Sequence, residues 1–90
     1  MKLKGDFELI QKDEFEKEVI AHGEAEERLG NILRSGETTN YIFQFLMEDT
    51  TEDEVVKKMT ETFEAPEDQI REDVEMIVRG LRTLGFLEEN

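Results

Sequence analysis

Apolar positions along this chain change rhythm near residue 35, irregular before it and helical after it. The most regular stretch is the last. From Glu67 it reads EDQIREDVEMIVRGLRTLGFL, and Ile70, Val74, Ile77, Leu81 and Leu84 recur at the intervals of one helical face. Pro66 suits the first helical position, where a missing N–H has no partner to lose. Glu67 and Asp68 set negative charge at the positive end of the helix dipole. Gly85 stands where a helix needs a residue that tolerates φ > 0, and Phe86–Leu87 form an apolar tail, a short strand able to fold back on the core.

Two shorter helices are predicted before it. Thr38 or Thr39 caps one that carries Tyr41, Ile42, Phe45 and Leu46, with Phe43 and Met47 broadening its apolar face. Thr51 with Glu54 three residues later spells a capping box, each side chain satisfying a backbone N–H of the first turn. Val55, Val56, Met59 and Phe63 then line one side of that second helix, which Ala65-Pro66 separates from the third.

The first third reads as strands. Phe7–Leu9 and Glu18–Ile20 predict the arms of a hairpin joined by the polar run Gln11–Lys17. Phe15, Val19 and Ile20 also fit a helical face from Asp13 to Ala21, and the pattern leaves both readings open. His22-Gly23 breaks it, and Glu24, Glu26 and Glu27 mark an acidic loop. Leu29–Leu33, bracketed by Arg28 and Arg34, reads as a third strand with Gly30 at a bulge or close approach. The resulting order of three strands and then three helices predicts an α+β, winged helix-turn-helix-like fold: a small three-stranded antiparallel sheet followed by three helices. It forms a single domain over 1–90, β-rich in 1–35 and helical in 36–90.

Charge narrows the function. Twenty-four acids stand against 11 bases for a formal net charge of -13, which repels nucleic acid and anionic membranes alike. Cysteine is absent, removing disulfides and thiolate metal sites. Six acids within the first twenty residues exclude a secretory signal, and no apolar run is long enough to span a bilayer. The expected location is cytoplasmic and the expected state a monomer or weak dimer.

Catalysis has no material here. His22 is the sole histidine and Ser35 the sole serine, and no nucleophile–base pair emerges. Asp49, Thr51 and Asp53 begin like a calcium loop, but Glu54 replaces its glycine and Thr60 its final glutamate. Ser35 lies in Arg-Ser-Gly, unlike the attachment serine of a carrier protein. The expectation is therefore no enzyme, no cofactor and no metal. DNA binding is disfavoured too, because the candidate recognition helix opens on Pro66-Glu67-Asp68 and also holds Glu72 and Asp73.

Three runs together resemble the PqqD family. Glu37-Thr38-Thr39-Asn40-Tyr41-Ile42-Phe43-Gln44-Phe45-Leu46 resembles the opening of its first helix, with Thr39-Asn40 where a glycine is frequent and Phe43 where tryptophan is. Thr51-Glu52-Asp53-Glu54-Val55-Val56 and Phe63 are similar to its second helix. Ile70–Leu87, through Asp73-Val74, Ile77-Val78, Leu81 and Gly85-Phe86-Leu87, is similar to its third. The likeness spans about Ser35 to Glu88. It implies a precursor-peptide recognition element of ribosomal peptide natural-product pathways. Such a module captures a leader segment and presents the core to a modifying enzyme, often a radical SAM enzyme. The leader is expected to add as a strand to the sheet edge beside the third helix, main-chain hydrogen bonds setting register.

Carried onto this chain, the edge is Arg28, Leu29, Gly30, Asn31, Ile32, Leu33 and Arg34. The helix wall is Ile70, Arg71, Val74, Ile77, Val78, Leu81 and Arg82. All five arginines of the chain fall on these two segments, Arg79 being the fifth, and guanidinium forks suit an acidic leader. The opposing expectations are that Ile32, Leu33, Val74 and Ile77 simply pack a core and that the arginines form ordinary i, i+4 pairs. The alternative function is a winged-helix subunit bridging two proteins without any leader, with a DNA-binding regulator further behind.

Overall fold

The computed structural model describes residues 1–89, and in chain order they form β1 (Lys2–Leu3), β2 (Phe7–Gln11), β3 (Lys17–Ala21), α1 (Gly23–Leu33), α2 (Glu37–Phe45), α3 (Glu52–Thr62), α4 (Glu67–Leu84) and β4 (Leu87–Glu88). The α+β class holds. Its layout differs from the expected one, with two two-stranded antiparallel sheets in place of a three-stranded sheet, and four helices in place of three.

β2 and β3 make the anticipated hairpin, in the register Phe7↔Ala21, Leu9↔Val19, Gln11↔Lys17. The helical alternative for Asp13–Ala21 fails because the turn between the arms has its own closure. One Asp13 carboxylate oxygen accepts the N–H groups of Phe15 and Glu16, at 2.8 Å each, and Lys12 N–H donates to the Glu16 carbonyl at 2.9 Å. An aspartate that satisfies backbone two and three residues ahead competes directly with helix.

Leu29–Leu33 is not a strand. It is the second half of α1, whose buried positions Ala25, Leu29 and Leu33 follow one another at intervals of four. Read alone, the apolar run suits either period; Ala25, a turn earlier, sets it as helical. Glu24 and Glu26 stand in the first turn, where the dipole favours acids, so the supposed acidic loop is a helix start. Gly23, at φ 59°, gives the chain its left-handed step out of β3, and His22 before it takes the N-cap place and lies 3.1 Å from the Glu8 carboxylate.

Caps differ in detail. α2 begins after Gly36 with no side-chain cap, so neither Thr38 nor Thr39 serves. At α3 half of the capping box forms: Thr51 Oγ1 accepts Glu54 N–H at 3.1 Å, while the Glu54 carboxylate takes the Thr50 hydroxyl at 3.0 Å instead of reaching back to Thr51. Pro66 is the N-cap of α4 rather than its first residue. Gly85, at φ 82°, ends α4 as its pattern indicates, with Phe86 N–H donating to the Leu81 carbonyl at 2.9 Å.

The core lies between α2, α3 and α4, with α1 and β3 packed against α2. Ile42, Phe43, Leu46, Val55, Val56, Met59, Val74 and Val78 are all buried. Each fully buried aliphatic side chain stabilises the fold by about 1.5–3 kcal/mol. Phe86 turns back onto this core, edge-on to Phe7 with centroids 6.1 Å apart. β1 then ties the ends of α2 and α4 together: Leu3 N–H donates to the Leu46 carbonyl and Lys4 N–H to that of Phe86, both at 2.8 Å.

One polar contact decides which sheet edge is open. The carboxamide of buried Asn40, on α2, accepts Val19 N–H at 3.0 Å and donates to the Val19 carbonyl at 3.0 Å. Gln44, one turn on, donates to the Lys17 carbonyl at 3.0 Å. These two amides occupy the side of β3 that faces away from β2, much as a short third strand would.

Candidate functional site: an apolar groove between α1, α2 and α4

α4 is apolar on more than one face. Its buried stripe is Ile70, Val74, Val78 and Leu81. Val78, expected in the binding wall, lies in this stripe, because the steps of four from Ile70 through Val74 keep the face turned to α3. Ile77 and Leu84, expected in the stripe, lie on a second face with Met76, and there they remain partly open to solvent. Met76 is 62% exposed, Ile32 of α1 43% and Leu84 40%. Three large apolar side chains so exposed on facing elements form a patch rather than scattered singles.

Between them runs a groove of about 400 Å³. Leu29 and Ile32 of α1 form one wall, Ile77, Leu81, Met76 and Leu84 of α4 the other, and Ile42 and Phe43 of α2 reach its base. Ser35, Thr38 and Thr39 supply hydroxyls at one end, Ser35 already donating to the Ile32 carbonyl at 2.6 Å. Asp73 is the single charged residue in the lining, and Gly80 leaves part of the α4 wall bare. Such a volume, mostly apolar with few polar groups, is within the ordinary range of ligand sites.

Of the residues expected at a binding edge, Leu29, Ile32, Ile77 and Leu81 are brought together here. The rest are not. Ile70, Val74 and Val78 are interior packing. Leu33 and Arg34 border a different, polar cleft of about 390 Å³ between α1, α2 and the hairpin. Gly30 is buried beneath the Glu26 side chain, which any Cβ there would strike, and exposed Asn31 accepts an Arg34 N–H at 3.3 Å.

The arginine-lined groove does not form. Arg28 pairs with Glu24 at 3.3 Å, Arg34 with Glu26 at 2.7 Å and Arg71 with Asp53 at 2.9 Å. Arg82 grips Glu89 through two N–H···O contacts of 3.0 and 2.6 Å, and that fork holds the Glu89 carboxyl below its ordinary range. With acids outnumbering bases two to one, each of these four guanidinium groups finds a carboxylate of its own chain. None of these four arginines lines the apolar groove.

Asp73, Met76 and Gly80 were missed by reading α4 for one stripe only, and Leu84 was assigned to that stripe and not to the site. Their spacing of three, four and four marks a second face of the same helix. That α4 carries more apolar residues than one stripe accommodates was the available signal.

What this arrangement can do is bury apolar side chains of a ligand while leaving the ligand's remainder in solvent. Among the described residues no group of three or more His, Cys, Asp or Glu is placed to hold a metal ion, and no helix is long and apolar enough to cross a membrane. The fold is a small α+β domain in which three helices frame one apolar groove. The chain belongs to the PqqD family: the family model of coenzyme PQQ synthesis protein D (PqqD) matches residues 13–87, taking in the second arm of the hairpin, β3, and α1 as well as the three C-terminal helices. That family consists of accessory proteins that bind precursor peptides. No curated protein and no solved structure matches the chain.

Proposed function

We propose that this protein, as one domain over residues 1–90, captures the leader segment of a ribosomally made precursor peptide and presents it to a modifying enzyme of the radical SAM class. It works in the cytoplasm and catalyses nothing itself. Its family membership supports the ligand class, and the groove between α1, α2 and α4 supports the location. The single observation that carries the location is the meeting of half-open Ile32, Ile77, Met76 and Leu84 around one cavity.

Strand addition at Leu29–Leu33 is not part of this reading, because helical backbone offers no ladder edge. Nor is the neighbouring edge of β3 free, since Asn40 and Gln44 hold it. Binding rests instead on side chains entering the groove.

Calorimetry against the leader of a short precursor peptide found encoded beside this gene tests the proposal. Ile77→Asp is expected to weaken binding by at least tenfold, about 1.4 kcal/mol, with helix content retained. Arg71→Glu and Arg82→Glu, spectators in this reading, are expected to leave affinity within about twofold. No measurable binding of the leader by the wild type overturns the proposal and leaves the bridging subunit in its place.

A further inference from the structure

Three walls of the groove are helices, and a helix spends its backbone hydrogen bonds internally. A guest is therefore offered side chains and no ladder. The peptide mode that uses only side chains is an amphipathic helix laid into an apolar groove, read through anchors at i, i+3 or i+4, and i+7. An extended peptide there would leave its own N–H and C=O groups facing apolar walls, a cost that a helix avoids.

Asp73 then sets the charge of that guest. It is half-buried on the groove face of α4, one turn before Met76 and Ile77, and no partner for its carboxylate is found among the described residues. Of the α4 arginines, Arg71 is engaged with Asp53 and Arg82 with Glu89, while exposed Arg79 does not line the groove. A lone carboxylate at the margin of an apolar surface favours a cation on whatever covers it, and a net charge of -13 draws cationic partners from a distance.

Gly80 gives an independent sign that the space is meant for a guest. A glycine inside a helix is destabilising relative to alanine. Gly80 lies in the interior of α4, has an ordinary helical backbone, and a Cβ built on it would touch nothing within 4 Å. Nothing in the fold needs a glycine here. Its bareness keeps the α4 wall of the groove low.

We infer that the occupant of this groove is an amphipathic peptide helix whose apolar stripe is flanked by a lysine or arginine, paired with Asp73, and whose closest approach passes over Gly80. This rests on the reading of the groove as the peptide site. It replaces the acidic extended leader suggested by the sequence with a basic helical one.

The test is fluorescence anisotropy at physiological salt with three short labelled peptides, amidated and acetylated. One has leucines at i, i+3, i+4 and i+7 with arginine on the flank, one has glutamate in place of the arginine, and one carries a central proline in the arginine peptide. The arginine peptide is expected to bind, and the other two at least tenfold more weakly. Asp73→Asn should cost the arginine peptide roughly five- to tenfold, the scale of a partly desolvated ion pair. Glu61→Gln, which removes the same charge from exposed α3, should leave it unchanged. Gly80→Leu should abolish binding with its melting temperature kept or raised, so lost binding cannot be mistaken for lost folding. Equal effects of Asp73→Asn and Glu61→Gln, undiminished binding by Gly80→Leu or of the proline peptide, or no binding of the arginine peptide would each overturn the inference. The natural leader separates this from the broader proposal. If the leader binds but ignores Asp73→Asn and Gly80→Leu, the inference falls and the function stands. If the arginine peptide behaves as expected and the leader does not bind, the function falls and the groove chemistry stands.

Discussion

Replacing Asn40 by alanine tests how the hairpin is joined to the helices. The carboxamide makes two hydrogen bonds of 3.0 Å to the peptide groups of fully buried Val19, and also accepts from Gln44 at 3.1 Å. A hydrogen bond to such a group contributes about 1 kcal/mol net, but a buried partner left unsatisfied costs about 1–3 kcal/mol. Two orphaned groups on Val19 would set the loss near 3 kcal/mol if water reaches one of them in part. For a domain of this size about 1 kcal/mol moves the melting temperature by roughly 4–8 °C, so Asn40→Ala should melt some 12–24 °C lower. Circular dichroism at 222 nm against temperature and urea measures it, and amide hydrogen exchange at Val19 locates it. Gln44→Ala, which removes an exposed bond to the Lys17 carbonyl and a half-buried one to Asn40 Oδ1, should cost about 1 kcal/mol, well short of the Asn40→Ala loss. Asn40→Asp keeps the acceptor and loses the donor, and should regain stability in acid, where a protonated carboxyl can again donate to the Val19 carbonyl. A loss below about 0.5 kcal/mol for Asn40→Ala would refute the reasoning, because Val19 would then be satisfied without the amide.

Val74→Asp should abolish the cooperative thermal transition, since Val74 is fully buried and an unpaired buried charge costs several kcal/mol of the roughly 5–15 a domain possesses. Ile77→Asp, at the open groove, should instead fold; a lost transition there would mean that the groove is closed in solution. Asp13, whose carboxyl is lowered by the N–H groups of Phe15 and then Glu16, is stabilising while ionised. Its contribution is complete above the ordinary carboxyl range and is lost as pH falls from there through the depressed native value, so carboxyl NMR should find Asp13 titrating below an ordinary aspartate, and an ordinary titration would remove the turn. Random duplex DNA should show no binding at physiological salt, given net charge -13; submicromolar anisotropy would reverse that.

Local sequence signals determined more of this protein than its apolar pattern suggests. Gly85 ended α4, Thr51 began α3, and the separation of Phe7–Leu9 from Glu18–Ile20 gave the hairpin. In each case the responsible chemistry is within a few residues: a φ only glycine favours, a hydroxyl in reach of an N–H, a polar turn between two short runs. The family likeness was legible for the same reason, resting on helix-length spacings from Ser35 onward, and the matched span extends it back to residue 13.

The period of Leu29–Leu33 was not legible, because five residues fit either a strand or a helix and only packing of Ala25, Leu29 and Leu33 on one side chooses. The division of α4 into a buried face and a groove face was not legible either. Ile77 and Val78 are neighbours of equal apolarity, and which one is covered depends on the crossing of α4 with α3, a relation between distant segments. The arginines gave the clearest contrast. Sequence placed them on the two elements that do flank the groove, but charge pairing is settled by distance. Arg71 reaches Asp53 eighteen residues away and Arg82 reaches Glu89, so tertiary structure neutralised the expected basic rim and left Asp73 as the charge on the groove's lining.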